Sequence, residues 1–173
     1  QEMEATGNIA AETIALENGR ALVDLSDHLV FAVSGSDAAK WLNDLVTASV
    51  MPMTPGRARG SFLLDPTGHI LAHFVVARTW QSFLLIQDPR QPHPVGGLLS
   101  KYILSSDVAI SEEATCLFAV PGSTTHAEAS WSAAPALREH GGGCYLGAPA
   151  ERHDELLASL SKDLVVTSED ARE

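Results

Sequence analysis

Apolar and polar positions along the chain predict a series of short strands and helices. Leu29–Ser34 is rich in β-branched and aromatic residues, which predicts a buried strand. Ser34–Asp37 then offers turn and helix N-cap residues. Apolar residues that recur at helical spacing predict the helix that follows: Ala38, Trp41, Leu42, Leu45 and Val46.

A hairpin and a second helix follow. Asp65-Pro66-Thr67-Gly68 matches a type I turn, with Asp first, Pro second and Gly last. Pro94 is suited to the first turn of a helix whose apolar face carries Leu98, Leu99, Tyr102 and Ile103. Four strands surround the turn and the helix: Ser61–Leu64, His69–Arg78, Phe83–Gln87 and Val108–Ile110. This order predicts an α+β unit instead of a repeating βαβ series.

The last third repeats the pattern. Strands are predicted at Cys116–Val120, near Tyr145 and at Leu164–Val166, with a weak helix at His126–Trp131 and a stronger one at Glu151–Leu160. Residues 1–12 show no period and are expected to be a loose lead-in. Thr167–Asp170 resembles a capping box, yet the chain ends at Glu173, so we expect a carboxy-terminal truncation.

Composition narrows the classes of function. The formal charge of −11 argues against binding to duplex nucleic acid or to an anionic membrane, because both need clustered Lys and Arg. No apolar run approaches the roughly 20 residues that span a bilayer, and no signal peptide is recognisable. Cys116 and Cys144 are too few for a disulfide framework, which makes a cytoplasmic setting the expectation.

The charge is distributed unevenly. Five basic and two acidic residues lie between Arg57 and Lys101, a local charge of +3, while the remainder carries −14. This middle segment could attract a small anionic ligand, although scattered solvated charges are the simpler interpretation.

Spacing alone predicts no catalytic residues and no metal site. His69 and His73 share a strand face but would lie about 13 Å apart, too far to hold one ion. Gly141–Gly143 lacks the spacing of a phosphate-binding loop. Asp65 and Asp88 are the only carboxylates of the middle segment, and the turn already accounts for Asp65.

Four segments in order carry a family resemblance: Ala21–Ser26, Val33–Leu42, Pro55–Ala58 and Leu64–Leu71. Together they resemble the folate-binding family that joins the glycine-cleavage T-protein (aminomethyltransferase, GcvT) to YgfZ-type proteins, which support iron–sulfur enzymes. The resemblance runs from about Glu12 to Val166, roughly half of a typical member.

Departures from the family pattern distinguish its branches. The acidic pair that contacts folate in T-proteins is replaced by Ala72 and His73, and the motif G-Y-T-G-E keeps its tyrosine at Tyr145 but has Ala148 in place of its glutamate. Without either carboxylate, nothing obvious steers protonation at the pterin. This favours the YgfZ-type branch, although that branch's own motif, K-G-C-Y-x-G-Q-E, is absent.

The resemblance implies an α+β folate-binding domain over residues 13–173, built from two similar interleaved β-α halves, 21–56 plus 115–173 and 57–113. It implies an accessory protein, not an enzyme, that binds tetrahydrofolate and supports assembly or repair of iron–sulfur client proteins. A tetrahydrofolate-dependent aminomethyltransferase or demethylase is the alternative, and a paralogue that kept only a protein-interaction role is a third.

The expected ligand site follows from the same resemblance. A folate would lie in a cavity between the halves, with His73 and Tyr145 near the pterin and Arg57 or Arg59 near its anionic tail. The simpler interpretation is that His73 is an ordinary strand residue and that both arginines are solvated.

Overall fold

The computed structural model describes residues 21–120, 136–139, 144–160 and 165–167. Their contacts divide the chain into two compact units of mixed α/β structure. One unit, here the inserted unit, is Asp27–Ala114; the other, the flanking unit, combines the chain up to Ser26 with the chain from Thr115 onward. The predicted segments 1–12, His126–Trp131 and Thr167–Asp170 lie wholly or largely outside the described residues.

The inserted unit is a five-stranded antiparallel sheet with two helices. Its strands have the order β3-β4-β5-β2-β6. The elements are β2 (Leu29–Ser34), α1 (Ala38–Leu45), β3 (Arg57–Leu64), β4 (Ile70–Arg78), β5 (Phe83–Gln87), α2 (Val95–Ser100) and β6 (Ala109–Glu112). Helix α2 is shorter than predicted, since it ends at Ser100 and the predicted apolar face extended to Ile103.

One face of this sheet packs against both helices and forms the core, and we call it the helix face. Trp41 and Leu42 of α1 and Leu99 of α2 pack there against strand residues such as Phe74. Because successive strand residues point to opposite sides, the helix face takes alternate positions. On β3 and β4 these are Leu63, Ala72, Phe74 and Val76. The apolar pattern predicts thirteen buried residues: Val33, Trp41, Leu45, Leu63, Leu71, Val75, Leu84, Ile86, Leu99, Ile103, Phe118, Leu156 and Leu160. Eight of them are buried, whereas Leu45, Leu71, Val75, Leu84 and Ile103 are only half-buried.

Two predicted turns differ in outcome. The Asp65–Gly68 turn is confirmed, since the Gly68 N–H donates to the Asp65 carbonyl at 3.0 Å and Gly68 has a φ of +89°. The predicted N-cap of α1 is not made by a side chain. Instead, the carboxylate of Asp37 accepts the N–H of Asp107 at 2.7 Å, because that loop lies beside the start of the helix.

The flanking unit has five described strands in the order β10-β1-β7-β9-β8. Strand β1 pairs with β10 in parallel, and the other pairs are antiparallel. Its elements are β1 (Ala21–Asp24), β7 (Thr115–Val120), β8 (Ala136–Glu139), β9 (Cys144–Pro149), a 3₁₀ turn (Ala150–Arg152), α3 (His153–Leu160) and β10 (Val165–Thr167). Leu156 and Leu160 of α3 pack with Phe118 in its core.

The division of the chain differs from the predicted halves, 21–56 plus 115–173 and 57–113. Strand β2 pairs with β5 and β6, which places Leu29–Ser34 and the helix after it in the inserted unit. The boundaries therefore fall at Ser26/Asp27 and Ala114/Thr115. The pattern of apolar residues shows where a strand forms but not which strand it pairs with. The predicted boundaries of the two halves differ from the observed ones for this reason.

Candidate functional site

His73 lies on the side of β4 that faces away from the helices. It pairs with Phe62 of β3, and the two rings stack with centroids 5.0 Å apart and an interplanar angle of 27°. Both side chains are exposed. The pair forms a flat aromatic surface on the β3–β4 hairpin.

Gly60 widens this surface. It lies two residues before Phe62 and pairs with Val75, so it shares the face of Phe62 and His73. A Cβ built at Gly60 would meet nothing within 4 Å, and Val75 is half-buried beside it. We call Gly60, Phe62, His73 and Val75 the hairpin surface. It offers open space over a glycine, bordered by two aromatic rings.

Toward the turn, the hairpin remains apolar and exposed. Leu64 pairs with Ile70, and their exposed fractions are 39% and 61%. Exposed apolar residues beside an aromatic pair are typical of a contact surface for a ligand or a partner.

The backbone at His73 is held by a side chain. The amide of Gln91 donates to the His73 carbonyl at 2.7 Å and accepts the His73 N–H at 3.0 Å. The pairing of β4 with β5 begins at Val75, so the Gln91 side chain extends the hydrogen-bond ladder of β4 to His73. This contact fixes the strand that carries the imidazole.

Gln91 is in turn fixed by a buried glutamine. Gln87 donates to the Gln91 side-chain oxygen at 3.1 Å and to the His93 carbonyl at 2.9 Å, and it accepts the Val95 N–H at 2.7 Å. Neither glutamine is among the site residues predicted from the sequence. The feature that could have indicated Gln87 is its position as the one polar residue at the end of the apolar strand β5.

Ala72 and His73, which replace the acidic pair of the T-protein pattern, lie on opposite faces of β4. Ala72 lies on the helix face and is buried, so of the two positions only His73 reaches the hairpin surface. The nearby carboxylates are engaged elsewhere. Hydrogen bonds from Thr67 and His69 lower the pKa of Asp65, and the Arg90 guanidinium lowers the pKa of Asp88 to about 2.

The two predicted arginines lie on β3, but the structure does not place Arg59 on the face of His73. Arg59 alternates with Gly60 and shares the side of Leu63, and its guanidinium donates to the Ser49 carbonyl at 3.2 Å. Arg57 starts the strand and is exposed. His73 and Arg59 therefore lie on opposite faces of the hairpin.

A third arginine lies at the same end of the hairpin. The Arg78 guanidinium lies 4.4 Å from the centre of the Phe83 ring, and its Nε is buried with no hydrogen-bond partner. Within residues 21–120 and the other described segments, Arg57, Arg59 and Arg78 form no ion pair with a carboxylate. Unpaired cations favour an anion at this end of the hairpin.

Tyr145, the fourth predicted residue, belongs to the flanking unit. It is buried in β9, where it pairs with Ala119 of β7 and Leu137 of β8. The other three predicted residues belong to the inserted unit, so no single unit contains all four.

Within the part of the chain that the structure describes, no three or more His, Cys, Asp and Glu residues are grouped so that they could hold a metal ion. None of its helices has the length and apolar character needed to cross a membrane.

The architecture is that of the glycine-cleavage T-protein fold. It is similar to the glycine cleavage system aminomethyltransferase T of Bartonella henselae, with a TM-score of 0.72 and 19% identity, over 92% of this chain and 50% of that one. The family model described as the GCVT N-terminal domain matches residues 1–129, and the chain belongs to that family.

The chain is also similar to a curated relative. A chloroplastic protein of Arabidopsis thaliana that carries the provisional name of transferase is 32% identical over 114 residues, which is 62% of this chain and 26% of the relative. The chain thus spans about a quarter of that relative and half of the Bartonella protein. The predicted family resemblance is confirmed at the level of this domain.

Proposed function

We propose that this chain is a YgfZ-type folate-binding protein that supports the assembly or repair of iron–sulfur enzymes, and that it is not a transferase. The hairpin surface carries the proposal. It presents an aromatic pair and an open glycine, with no carboxylate at positions 72 and 73 to steer proton transfer on a pterin.

The proposed ligand is tetrahydrofolate, and the residues fit its two ends. A flat pterin matches the open space above Gly60, beside the stacked rings of Phe62 and His73. We propose that the anionic glutamate tail binds the guanidinium of Arg57, which starts β3 on the same side as Arg59, so the tail would reach it around the end of the hairpin. The guanidinium of Arg59 already donates to the Ser49 carbonyl. Tyr145 remains a proposed contact from the flanking unit.

The test fills the space above Gly60. Gly60→Val adds a β-branched side chain to an open strand position, so the fold should be as stable as before or slightly more so. Tetrahydrofolate binding, measured by calorimetry on the full-length protein, should weaken at least tenfold. Gly97→Ala is the matched control, since that glycine is also exposed with open space around it, but on α2.

Three further variants examine the ends of the ligand. His73→Ala should weaken binding at any salt concentration, because it removes a ring from the stack. Arg57→Ala and Arg59→Ala should weaken it more at low salt than at high salt, with the larger effect at Arg57. Full affinity in every variant, or no binding by the wild-type protein, would contradict the proposal.

The alternative is a one-carbon transferase, and the Arabidopsis relative carries the general name of transferase without a stated substrate. It requires a carboxylate near the pterin, and Asp65 and Asp88 are both engaged in local contacts. Formation of methylene-tetrahydrofolate from a methylamine donor would establish this alternative over the accessory role.

A further inference from the structure

A histidine between two carboxylates lies in the flanking unit. His153 is the first residue of α3, and its Nε2 is 2.7 Å from an oxygen of Asp24 at the end of β1. Its Nδ1 is 3.0 Å from Asp154, and its ring stacks on Phe118 with centroids 5.4 Å apart. The Asp24 contact joins residues 129 positions apart in the chain.

Asp24 is held in place from its other side. Its second oxygen accepts the Ser26 N–H at 3.0 Å and the Ser26 hydroxyl at 2.6 Å. The Ser26 hydroxyl oxygen also accepts the Leu117 N–H of β7 at 3.2 Å. Contacts with Ser26, which itself binds β7, therefore orient the Asp24 carboxylate independently of α3.

The two contacts of His153 require a particular protonation state. Both ring nitrogens face carboxylate oxygens, and only the imidazolium has an N–H on each nitrogen. A neutral ring would leave one lone pair directed at a carboxylate. The hydrogen bonds to Asp24 and then Asp154 raise the pKa of His153 above its usual value.

Other titratable groups lie on β1, on β7 and in the 3₁₀ turn before α3. Burial acts to raise the pKa of Asp24, but hydrogen bonds from Ser26 and His153 outweigh it, so the pKa is lowered. Arg152 binds Glu155 at 3.0 Å, and burial raises the pKa of the Cys116 thiol on β7. The start of a helix disfavours a cation, so the carboxylates beside the ring must offset the dipole of α3.

We propose that the contact between His153 and Asp24 is a pH-dependent latch, which fastens the first turn of α3 to β1 when the imidazole is protonated and loosens it when the proton leaves. Leu156 and Leu160 of the same helix pack in the core of the flanking unit, so the latch controls how tightly that helix is docked. The site belongs to the flanking unit and the hairpin surface to the inserted unit, and the latch does not depend on the folate proposal.

The direction of the pH effect follows from the two pKa shifts. The stabilisation by His153 is complete below its unfolded pKa of about 6.5 and is lost as the pH rises through the raised folded value. The stabilisation by Asp24 is present above about 3.8 and is lost as the pH falls through its lowered folded value. The latch is therefore closed at mildly acidic pH.

Thermal unfolding of the full chain tests the stabilisation. The difference in Tm between the wild type and His153→Gln should shrink by about 2–4 °C between pH 5.5 and pH 8.5. His93→Gln, at an exposed histidine of the inserted unit, is the matched control for the loss of a histidine elsewhere in the chain. A Tm difference between the wild type and His153→Gln that stays constant from pH 5.5 to pH 8.5 would overturn the proposal.

Two further measurements test the latch without His153→Gln, so they remain decisive if that variant does not fold. In an NMR titration, the His153 ring should titrate above 6.5, and Asp24→Asn should shift its midpoint to lower pH. Amide exchange in the first turn of α3, corrected for the intrinsic pH dependence, should accelerate through that midpoint. A midpoint at or below 6.5, or exchange that does not follow it, would contradict the proposal.

Discussion

Gly35 is the position where a single methyl group should do the most damage. It lies between β2 and α1 with a φ of +120°, a conformation that side chains rarely adopt. A Cβ there would lie 2.1 Å from the carbonyl oxygen of Asp107 and 2.8 Å from its carbon. Both are backbone atoms, so no rotation of a side chain can relieve the clash.

A methyl group at Gly35 would push Asp107 away, and Asp107 is held there by several hydrogen bonds. The Asp107 carbonyl accepts the Asp37 N–H at 3.1 Å, and the Asp107 carboxylate accepts the N–H and the hydroxyl of Ser36 at 3.0 and 2.6 Å. The Asp107 N–H donates to the Asp37 carboxylate at 2.7 Å. Moving Asp107 away from Gly35→Ala would strain or break these bonds, which tie the start of α1 to the loop before β6.

The expected cost combines two contributions. A non-glycine residue in a left-handed conformation costs about 1–2 kcal/mol, and each lost hydrogen bond costs about 0.5–1.5 kcal/mol. With about two bonds lost, Gly35→Ala should reduce the free energy of unfolding by about 2–5 kcal/mol. Urea denaturation followed by circular dichroism would measure this as a lower midpoint with an unchanged slope.

Two controls separate the causes. Gly97→Ala places the same methyl group where nothing lies within 4 Å and should not destabilise the protein. Asp107→Ala removes the carboxylate bonds without creating the clash, so it should cost less than Gly35→Ala. The reasoning fails if Gly35→Ala costs under about 0.5 kcal/mol, or no more than Asp107→Ala.

Two neighbouring glycines of α2 should respond in opposite directions. A Cβ at Gly96 would lie 2.5 Å from the buried ring of Phe31, so Gly96→Ala should destabilise by about 1–3 kcal/mol in urea melts, whereas Gly97→Ala should stabilise by up to about 1 kcal/mol. Equal effects would refute this packing. Gln87→Leu would leave the Val95 N–H without its acceptor and should cost about 1–3 kcal/mol, with faster amide exchange at Val95; unchanged exchange there would contradict the assignment.

Local features of the structure were predictable because they depend on residues close together in sequence. Strands β2, β5 and β7 and helix α1 follow from runs of apolar residues and from helical spacing. The Asp65–Gly68 turn follows from the residues it contains, and Gly68 has the positive φ that its last position favours. The family was also recognisable, because four short segments in order suffice to identify it.

Short strands and polar side chains were harder to interpret. Strands β1 and β8, with four residues each, carry no period of their own, and their pairing with distant strands defines them. The carboxylate of Asp37 fits a helix cap, yet it binds the Asp107 N–H 70 positions away. A polar side chain near several unpaired backbone groups can satisfy any of them, and only the fold selects one.

Some residues of the candidate site were predictable from the sequence, but their arrangement was not. Sequence pointed to His73 and to the arginines Arg57 and Arg59, because the family resemblance and the local charge both single out this hairpin. The fold alone shows that His73 stacks on Phe62, and that Arg59 faces the other way and binds Ser49. Register between strands decides which residues share a face. That register is set by packing across the whole sheet, which no local pattern encodes.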